Sequence, residues 1–481
     1  MSLMIGGLLF LAAGGLVAAK NSLHVWAIGA ALGLGCVLGL LYGISNYFTG
    51  EGITYAVIAH LQYGVSRGEL NVLRFPLLIF LVAAVFVIYV LWLFGLVWSV
   101  RRLARKKPRD WVFWCIFLSA LVLMPLHPAV ADLRALSAGV SRPAAQLTED
   151  LRWTVNRPTD LRSVVYIYLE SYERTFLDES LFPGVSPRLK GLEREGLSVH
   201  GIATAPLMNW TVAGMVASQC GMVMSTLKRG QENGYRPGVH CLGDVMRDKG
   251  YSLSYVGGAD LGFSGKGRFY REHGFHVVLG LSELEAESEG GFQRSEWGAY
   301  DDTVFERAKK EFSDLHGNDN PFGLFILTTA THPHDGYPSP GCDTGGFENP
   351  MLGAVHCSDQ QVATFVRWIR ARAGEDVLIV IASDHMQVAG KASDLLKRNS
   401  GRDNLFLVIG HDIEPQVILR KATMVDVAPT VASLLGLGIS EMGLGRNLLQ
   451  PEPTLAERYG PARFNSMIPA WRVGLDKELS E

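Results

Sequence analysis

Two carboxylates, an imidazole and a hydroxyl are the side chains of this protein best suited to chemistry. Glu170 ends the apolar run VVYIYLE, and Asp384 and His385 end the run VLIVIASDH. Thr211 lies in the segment NWTVAGMVASQCG. Carboxylate oxygens and an imidazole nitrogen can bind Mn²⁺, Mg²⁺ or Zn²⁺. A cation held by them would activate the threonine hydroxyl for attack on a phosphoryl or sulfuryl group.

Each of these residues also has a plainer interpretation from its local sequence. Asp384 could cap a turn and His385 could fill a loop, and Thr211 could be an ordinary helix N-cap. The group as a whole favours a metal site, because Glu170 and Asp384 each follow a strand-like run directly. His332, in TTATHPHDGY, follows a third such run. Ligands collect at the carboxyl ends of strands in α/β sheets, so we expect these side chains to converge.

Further residues could contact a phosphate group near such a cation. The glycine-rich segment GGADLGFSGKGRFYREHGF contains Asp260 and Lys266, and Lys266 could meet a phosphate as a point charge. A solvated loop is the alternative for this segment. His332 could bind the phosphate or act as general acid or base, and His334 is close enough to share that role. Trp297, in SEWGAYDDT, is expected to pack against the site.

The elements that must position these residues alternate after residue 162. Short β-rich runs and amphipathic helical stretches follow one another, which predicts an α/β domain with a largely parallel sheet covered on both faces. Strands are predicted at 163–169, 252–256, 323–329, 376–382, 405–410 and 416–419, and helices at 186–195, 211–219, 241–249, 301–314, 357–372 and 424–435.

The first 130 residues have a different composition from the rest of the 481-residue chain. Each of their four uncharged apolar runs is about long enough to cross ~30 Å of hydrocarbon as a helix. Cleavage of the first run as a signal peptide is the alternative, although Met1 is followed by no basic segment. We therefore predict four transmembrane helices, at 2–19, 25–48, 75–100 and 111–130.

Basic residues indicate the orientation of these spans. The loop RRLARKKPRD at 101–110 should be cytoplasmic, because positive charge stays on that side of a membrane. Everything after 130 is then extracytoplasmic, together with the loop at 49–74. We divide that part into a helical linker at 131–160, a catalytic domain at 161–450 and a tail at 451–481 without a strong pattern.

The cysteines and the net charge agree with this division. Two of six cysteines, Cys36 and Cys115, lie in predicted spans, and an oxidising compartment would allow the four others to form two disulfides. Three pairings are possible, and we favour the nearest neighbours. The favoured disulfides are Cys220–Cys241 and Cys342–Cys357.

The net charge of the chain is only −3, so the sequence has no excess of basic residues that would indicate binding to nucleic acid.

Together, several segments resemble the alkaline phosphatase/sulfatase superfamily. They are YLES around Glu170, the helix that follows Thr211, SDH at 383–385 and TMVDVAPTVASLLGLG at 423–438. Within the superfamily the chain looks most like membrane-bound phosphoglycerol transferases. Lipoteichoic acid synthases form one group, and enzymes that decorate osmoregulated periplasmic glucans of Gram-negative bacteria form another. The second group fits better, since segments such as WTVAGMVASQCG, CLGD, WGAYDDT and RDNLFLVIG resemble its own.

The resemblance implies a membrane-anchored α/β/α domain that holds one Mn²⁺, with Mg²⁺ or Zn²⁺ as alternatives. Its ligands would be Glu170, Thr211, Asp384 and His385, and Thr211 would be the nucleophile. His332 takes the position of a histidine that contacts phosphoglycerol, and Lys266 that of a basic headgroup contact. His334 lies in THPHDG, which replaces a more usual histidine pair.

The implied reaction uses phosphatidylglycerol as donor and a periplasmic glucan as acceptor, at the bilayer of the bacterial inner membrane. The alternatives are a glycerol phosphate polymerase of the lipoteichoic acid synthase type, a phosphoethanolamine transferase that favours zinc, and a plain phosphodiesterase or sulfatase. A sulfatase needs cysteine or serine at the nucleophile position, and Thr211 argues against it. A membrane sensor that keeps the fold is the alternative outside enzymes.

Overall fold

The computed structural model describes residues 22–49, 52–57, 118, 126–140, 147–224, 239–288, 290–373, 377–388 and 390–478. Two compact units divide the chain, Met1–Ala138 and Gly139–Glu481. The division falls inside the segment 131–160, which we predicted as a linker.

The first unit contains helix α1 (Ser22–Thr49) and all but the last two residues of helix α2 (Pro128–Val140). A short segment packs on α2, because the Ile53 amide donates to Asp132 Oδ2 at 2.8 Å and the Tyr55 hydroxyl donates to the Leu136 carbonyl at 2.9 Å.

The predicted spans fall only in part on this first unit. The apolar run at 25–48 lies on α1, the runs at 2–19 and 75–100 lie outside the described residues, and so does most of the run at 111–130. Of the helices that can be described, none is both long and apolar enough to cross a membrane. The four spans therefore stay a prediction.

The second unit contains eleven strands and twelve helices among its described residues. The strands are β1 (Arg152–Val155), β2 (Ser163–Leu169), β3 (Leu197–Ala203), β4 (Ser252–Gly257), β5 (Val277–Leu279), β6 (Phe322–Leu327), β7 (Val377–Ser383), β8 (Phe406–Ile409), β9 (Gln416–Thr423), β10 (Ile439–Gly443) and β11 (Gly445–Arg446). The helices are α3 (Leu147–Asp150), α4 (Pro187–Glu193), α5 (Thr211–Cys220), α6 (Leu242–Asp248), α7 (Lys266–Glu272), α8 (Leu281–Glu287), α9 (Asp301–His316), α10 (Pro350–Ala373), α11 (Ser393–Leu396), α12 (Val427–Leu434), α13 (Leu455–Tyr459) and α14 (Pro461–Glu478).

The main sheet has eight strands in the order β5-β4-β6-β2-β7-β8-β3-β9. Its pairs are parallel except at β8, which runs antiparallel to both β7 and β3. A smaller sheet has the order β1-β10-β11 and is antiparallel. The largely parallel sheet that we predicted is confirmed, with β8 as its one reversed strand among those described.

The alternation within β2 explains why helices cover both faces of the main sheet. Val165 and Ile167 point into an apolar core shared with α9 and α10. Tyr168 points to the other face, where its hydroxyl lies 2.7 Å from Ser218 Oγ on α5. Successive side chains of a strand leave on opposite faces, so a strand covered on both sides is apolar throughout. β2 is buried along its whole length after Ser163.

All six predicted strands and all six predicted helices of the catalytic domain are present, with ends that differ by a few residues, except that α10 begins seven residues earlier. One expectation was wrong. The linker is not helical throughout, because 152–155 form β1, which pairs with β10. The tail, which has no strong sequence pattern, forms α13 and α14, and these helices fold onto the unit. Arg458 and Tyr459 both bind the Asp150 carboxylate, and Trp471 is buried.

Candidate metal centre

Four of the predicted site residues lie at the carboxyl ends of three neighbouring parallel strands. β2 lies between β6 and β7, and Leu169 pairs with Ser383 at the end of the β2–β7 ladder. Glu170 follows β2 directly, and Asp384 and His385 follow β7. His332 belongs to the turn that follows β6. The convergence expected from the strand-end positions is therefore present.

The side chains of Glu170, Asp384 and His385 form one buried cluster. Their candidate ligand atoms all lie within 4.8 Å of one another. His385 Nε2 is 3.4 Å from Glu170 Oε1 and 3.5 Å from Asp384 Oδ2. The Thr211 hydroxyl donates to Glu170 Oε2 at 3.2 Å, so the proposed nucleophile touches the cluster directly.

The hydrogen bonds around this cluster leave atoms that suit a cation. His385 Nδ1 lies 2.7 Å from the Met386 carbonyl, which can only accept, so Nδ1 carries a proton and Nε2 is the nitrogen left to bind a cation. Asp384 Oδ1 accepts from the amides of Ser171 and His385. Asp384 Oδ2 is buried and accepts no hydrogen bond from any residue in the described part of the chain. Such an atom is what a divalent cation would satisfy.

The electrostatics of the cluster point the same way. Burial raises the pKa of the Asp384 carboxyl, and the Glu170 carboxylate beside it raises that pKa further. Burial acts to lower the pKa of His385, but the charges of Asp384 and Glu170 and the hydrogen bonds to Glu170 and Met386 together outweigh it and raise that pKa to about 9. Two carboxylates in one dry site repel each other unless positive charge lies between them. A bound cation would supply that charge, and the donor set suits Mn²⁺, Mg²⁺ or Zn²⁺.

The position of Thr211 is set by a close approach between α5 and the end of β7. Thr211 is the first residue of α5 and is half-buried. A Cβ atom added at Gly214 would collide with the backbone carbonyl oxygen of Asp384, so only glycine allows the first turn of the helix to come this near. The N-terminal turn of a helix also offers free amides to an anion such as phosphate.

The far end of α5 is fixed covalently. Cys220 is the last residue of the helix and forms a disulfide with Cys241. A second disulfide joins Cys342 to Cys357. Both predicted pairings are confirmed.

Lys266 and Asp260 lie in the glycine-rich segment between β4 and α7. Lys266 is the first residue of α7 and is 2% exposed. Burial lowers the pKa of Lys266, while the negative charges of Glu170, Asp384 and Asp260 act to raise it. The Lys266 ammonium group therefore interacts electrostatically with the cluster. Asp260 is exposed and accepts from the Gly262 amide at 2.7 Å. Its predicted contact with substrate stays a prediction.

Trp297 and His332 form a stacked pair at the edge of the site. Their ring centroids are 3.7 Å apart, and Trp297 Nε1 donates to the Tyr337 hydroxyl at 3.1 Å. Burial lowers the pKa of His332, and Glu170 opposes that change. The His334 carbonyl accepts from the Lys391 amide at 2.9 Å, and its predicted contact with substrate stays a prediction. The charge of Glu170 acts on the His332 ring, which connects His332 to the cluster.

Sequence reasoning missed residues that hold the ligands in place. Ser171 has a φ of 50°, an uncommon value for a residue other than glycine, and its hydroxyl donates to Glu170 Oε1 at 2.8 Å. The Glu170 amide donates to Thr328 Oγ1 at 3.1 Å, and the Thr331 hydroxyl donates to the Glu170 carbonyl. The repeated threonines of TTAT were the available signal, because side-chain hydroxyls often bond to nearby backbone.

A second group of potential ligands, Cys241, Asp244 and His273, is also buried. His273 Nδ1 lies 2.6 Å from Asp244 Oδ2, and Cys241 Sγ is 3.7 Å from His273 Nε2. The Cys241 sulfur is committed to the disulfide with Cys220, so it offers no thiolate. We therefore interpret Asp244 and His273 as residues that pack around the Cys220–Cys241 disulfide.

Comparison with protein families gives two matches that cover different parts of the chain. The family described as Sulfatase matches residues 162–437, which include every proposed metal ligand. The family described as Phosphoglycerol transferase I, N-terminal domain, matches residues 1–146.

Curated relatives named Phosphoglycerol transferase I are similar along most of the chain. The protein from Xanthomonas campestris pv. campestris (strain B100) is 34% identical over 439 residues, which are 88% of this chain and 62% of the relative. The protein from Escherichia coli O127:H6 is 34% identical over 469 residues, which are 93% of this chain and 60% of the relative. The chain thus spans about three fifths of the length of these relatives.

Two solved structures share the fold at low sequence identity. A protein in the alkaline phosphatase superfamily from Vibrio parahaemolyticus aligns with a TM-score of 0.52 and 22% identity, covering 68% of this chain and 79% of that one. The lipoteichoic acid synthase LtaP from Listeria monocytogenes aligns with a TM-score of 0.50 and 14% identity, covering 71% and 99%. At such identity the likeness concerns the fold alone.

Proposed function

The chain belongs to the sulfatase family, and on that premise we propose that it transfers phosphoglycerol from phosphatidylglycerol to a hydroxyl group of a periplasmic glucan. Support comes from the relatives named Phosphoglycerol transferase I and from the match of residues 1–146 to the N-terminal domain of that enzyme. Hydrolysis of sulfate esters is disfavoured, because threonine stands where a sulfatase carries cysteine or serine.

The observation that carries the proposal is the contact of Thr211 with a buried carboxylate and imidazole cluster. The Thr211 hydroxyl lies 3.2 Å from Glu170 Oε2, and Asp384 and His385 complete the set of ligands. A divalent cation bound there, Mn²⁺ in our proposal, would lower the pKa of the hydroxyl and screen the charge of the phosphodiester. A threonine that only capped the helix would not need to point at such a cluster.

The reaction that we propose has two steps. Thr211 Oγ1 forms a bond to phosphorus as the bond from phosphorus to the diacylglycerol oxygen breaks, and the diacylglycerol leaves with a proton. An acceptor hydroxyl then attacks the phosphorus, the bond to Thr211 breaks, and the threonine regains its proton. His332 would move these protons as general acid and base. The charge of Glu170 acts on its ring, and its Nδ1 lies 2.6 Å from the Pro333 carbonyl, which fixes the orientation of the ring.

The remaining site residues would recognise the phosphoglycerol group. Lys266 would contact a phosphate oxygen, and the Trp297 ring would keep His332 in place by stacking. Asp260 and His334 would act at the outer edge, in contact with the glycerol or the acceptor.

We also propose that the first 130 residues anchor the catalytic unit on the periplasmic side of the inner membrane with four spans. A lipid donor favours this arrangement, because an anchor holds the site near headgroups at high effective concentration.

The test is the intact mass of the full chain in detergent after incubation with phosphatidylglycerol and Mn²⁺. The wild type should gain one glycerophosphoryl group and release diacylglycerol, and Thr211→Ala should do neither. Thr364→Ala, at an exposed position of α10, controls for the loss of a threonine elsewhere.

Two outcomes would contradict the proposal. An adduct that persists in Thr211→Ala would remove Thr211 as nucleophile. A wild type without adduct and without released diacylglycerol would remove phosphatidylglycerol as donor, and an adduct formed from phosphatidylethanolamine instead would reassign the enzyme as a phosphoethanolamine transferase.

A further inference from the structure

Asp301 is a buried carboxylate that none of the roles above uses. It is the first residue of α9 and has no exposed surface. Its Oδ1 accepts from the Thr329 amide at 2.7 Å, and both of its oxygens lie 3.3 Å from the Ala330 amide. One side chain thus satisfies two consecutive backbone amides of the turn that follows β6.

The other hydrogen bonds of that turn lead to elements other than α9, since the Thr328 amide donates to the Tyr168 carbonyl at 3.0 Å and the Tyr337 amide donates to the Ala330 carbonyl at 2.6 Å. The Thr329 hydroxyl donates to the Ala299 carbonyl at 2.9 Å, and the His332 amide donates to the Thr329 carbonyl at 3.1 Å. Two buried amides that lost their common acceptor would each need a new partner, and the turn would have to move to find one. The carboxylate of Asp301 is therefore the main connection between this turn and α9.

The turn carries two parts of the candidate metal centre. Thr328 and Thr331, at its two ends, bind the backbone amide and carbonyl of Glu170. His332, the next residue, stacks on Trp297 at 3.7 Å between ring centroids.

The loop that carries Trp297 leads directly into α9, and Trp297 stands four residues before Asp301. Asp301 therefore connects the loop that carries Trp297 to the turn that leads to His332, through its bonds to the Thr329 and Ala330 amides. The Ala299 amide donates to the Gly258 carbonyl at 2.9 Å, which fixes the Trp297 side of this junction.

We propose that Asp301 is a positioning residue that sets the Trp297–His332 stack and the backbone of Glu170. Its carboxylate acts through the amides of Thr329 and Ala330 and touches neither substrate nor cation. The consequence for turnover rests on the function proposed above, whereas the effect on the stack can be measured without any substrate.

The experiment uses the full chain in detergent with 5-fluorotryptophan in place of its ten tryptophans. A fluorine spectrum reports each indole separately, and Trp297→Phe identifies the Trp297 resonance. Asp301→Asn keeps the shape of the side chain but turns one acceptor oxygen into an NH₂ group that faces an amide. The matched control is Asp302→Asn, the exposed neighbour in the same helical turn, whose carboxylate accepts from the Thr303 amide.

We expect Asp301→Asn to shift or broaden the Trp297 resonance and to leave the other resonances in place. Its kcat for phosphoglycerol transfer should fall about tenfold or more while KM changes less than about threefold, because a displaced general acid or base slows chemistry more than binding. Asp302→Asn should match the wild type in both measurements.

An unchanged Trp297 resonance in Asp301→Asn would overturn the positioning role, whatever the activity. A shifted resonance with an unchanged kcat would overturn the claim on turnover. If the wild type transferred no phosphoglycerol, the proposed function would fail while the fluorine spectra still decided the positioning role. Asp301→Ser, which leaves room for a bridging water, takes the place of Asp301→Asn if the latter variant does not fold.

Discussion

Asp426 provides a test of the buried electrostatics of the fold. It is 2% exposed, and its carboxylate accepts from the amides of Thr423 and Arg446, each at 2.9 Å. It ends the short 3-10 turn Met424–Asp426, which packs against α5. Burial raises the pKa of Asp426 from 3.8 to about 7, although both hydrogen bonds act to lower it.

The sign of the pH effect follows from that rise. The folded protein holds the Asp426 proton more tightly than the unfolded chain does. Below about pH 4 the carboxyl is protonated in both states and costs no stability, and the cost grows as the pH rises from there to about 7. The full rise in pKa corresponds to about 4 kcal/mol, of which more than half develops between pH 5 and pH 8.

The perturbation is Asp426→Asn, which cannot ionise. Asparagine has one acceptor oxygen for two amides, so the variant should lose about 1–3 kcal/mol at any pH. At pH 5 the wild type should therefore be about as stable as the variant or more stable, and by pH 8 it should have lost about 2–3 kcal/mol relative to the variant.

The assay is urea unfolding of the full chain in detergent at pH 5, 6, 7 and 8, followed by tryptophan fluorescence. Asp314→Asn, at an exposed position of α9, controls for the loss of one negative charge. A difference between wild type and Asp426→Asn that stayed constant across this range would refute the reasoning. So would a wild type that gained stability relative to the variant as the pH rose.

Three further perturbations address the disulfide, the cation and the aromatic stack. Replacing both Cys220 and Cys241 with serine should lower the free energy of unfolding by about 3 kcal/mol, from a loop of 21 residues, and urea titration would measure the loss. Asp384→Asn should weaken Mn²⁺ binding by about 100-fold or more, because it removes a ligand charge, and calorimetry that gave the wild-type affinity would contradict the ligand assignment. Trp297→Ala should lower kcat/KM for transfer by up to about tenfold through loss of the stack on His332, whereas Trp297→Phe should retain most activity in the same single-turnover assay.

The elements of the catalytic unit were predictable because their signals are local. Continuous apolar runs such as 163–169 and 377–383 predict fully buried parallel strands, and a polar residue at the end of each run predicts a site at one edge of the sheet. Thr211 followed by small residues predicts the start of a helix. These signals located Glu170, Asp384 and His385 before any contact was known.

The contacts that align those elements could not be predicted in the same way. β3 was missed because LSVHGIA mixes polar and small residues, and its strand character depends on its pairing with β9, more than 200 residues later. The fold of the tail was unpredictable for the same reason, since Arg458 and Tyr459 bind a distant residue, Asp150. Asp301 looked like an ordinary acidic residue in the first turn of a helix, and only the fold brings it to the amides of Thr329 and Ala330.

The geometry of attack therefore depends on contacts made along the whole of α5. At its start the Thr211 hydroxyl is bound to Glu170, and one turn later the backbone at Gly214 touches the Asp384 carbonyl. At its end Cys220 is bonded to Cys241. Because the helix meets the ligand loop through its backbone, even a small side chain at position 214 would move the nucleophile away from the cluster while Glu170, Asp384 and His385 kept their own hydrogen bonds. Turnover should therefore respond to a change at position 214 more strongly than metal affinity does, because three of the four proposed ligands lie at the ends of β2 and β7.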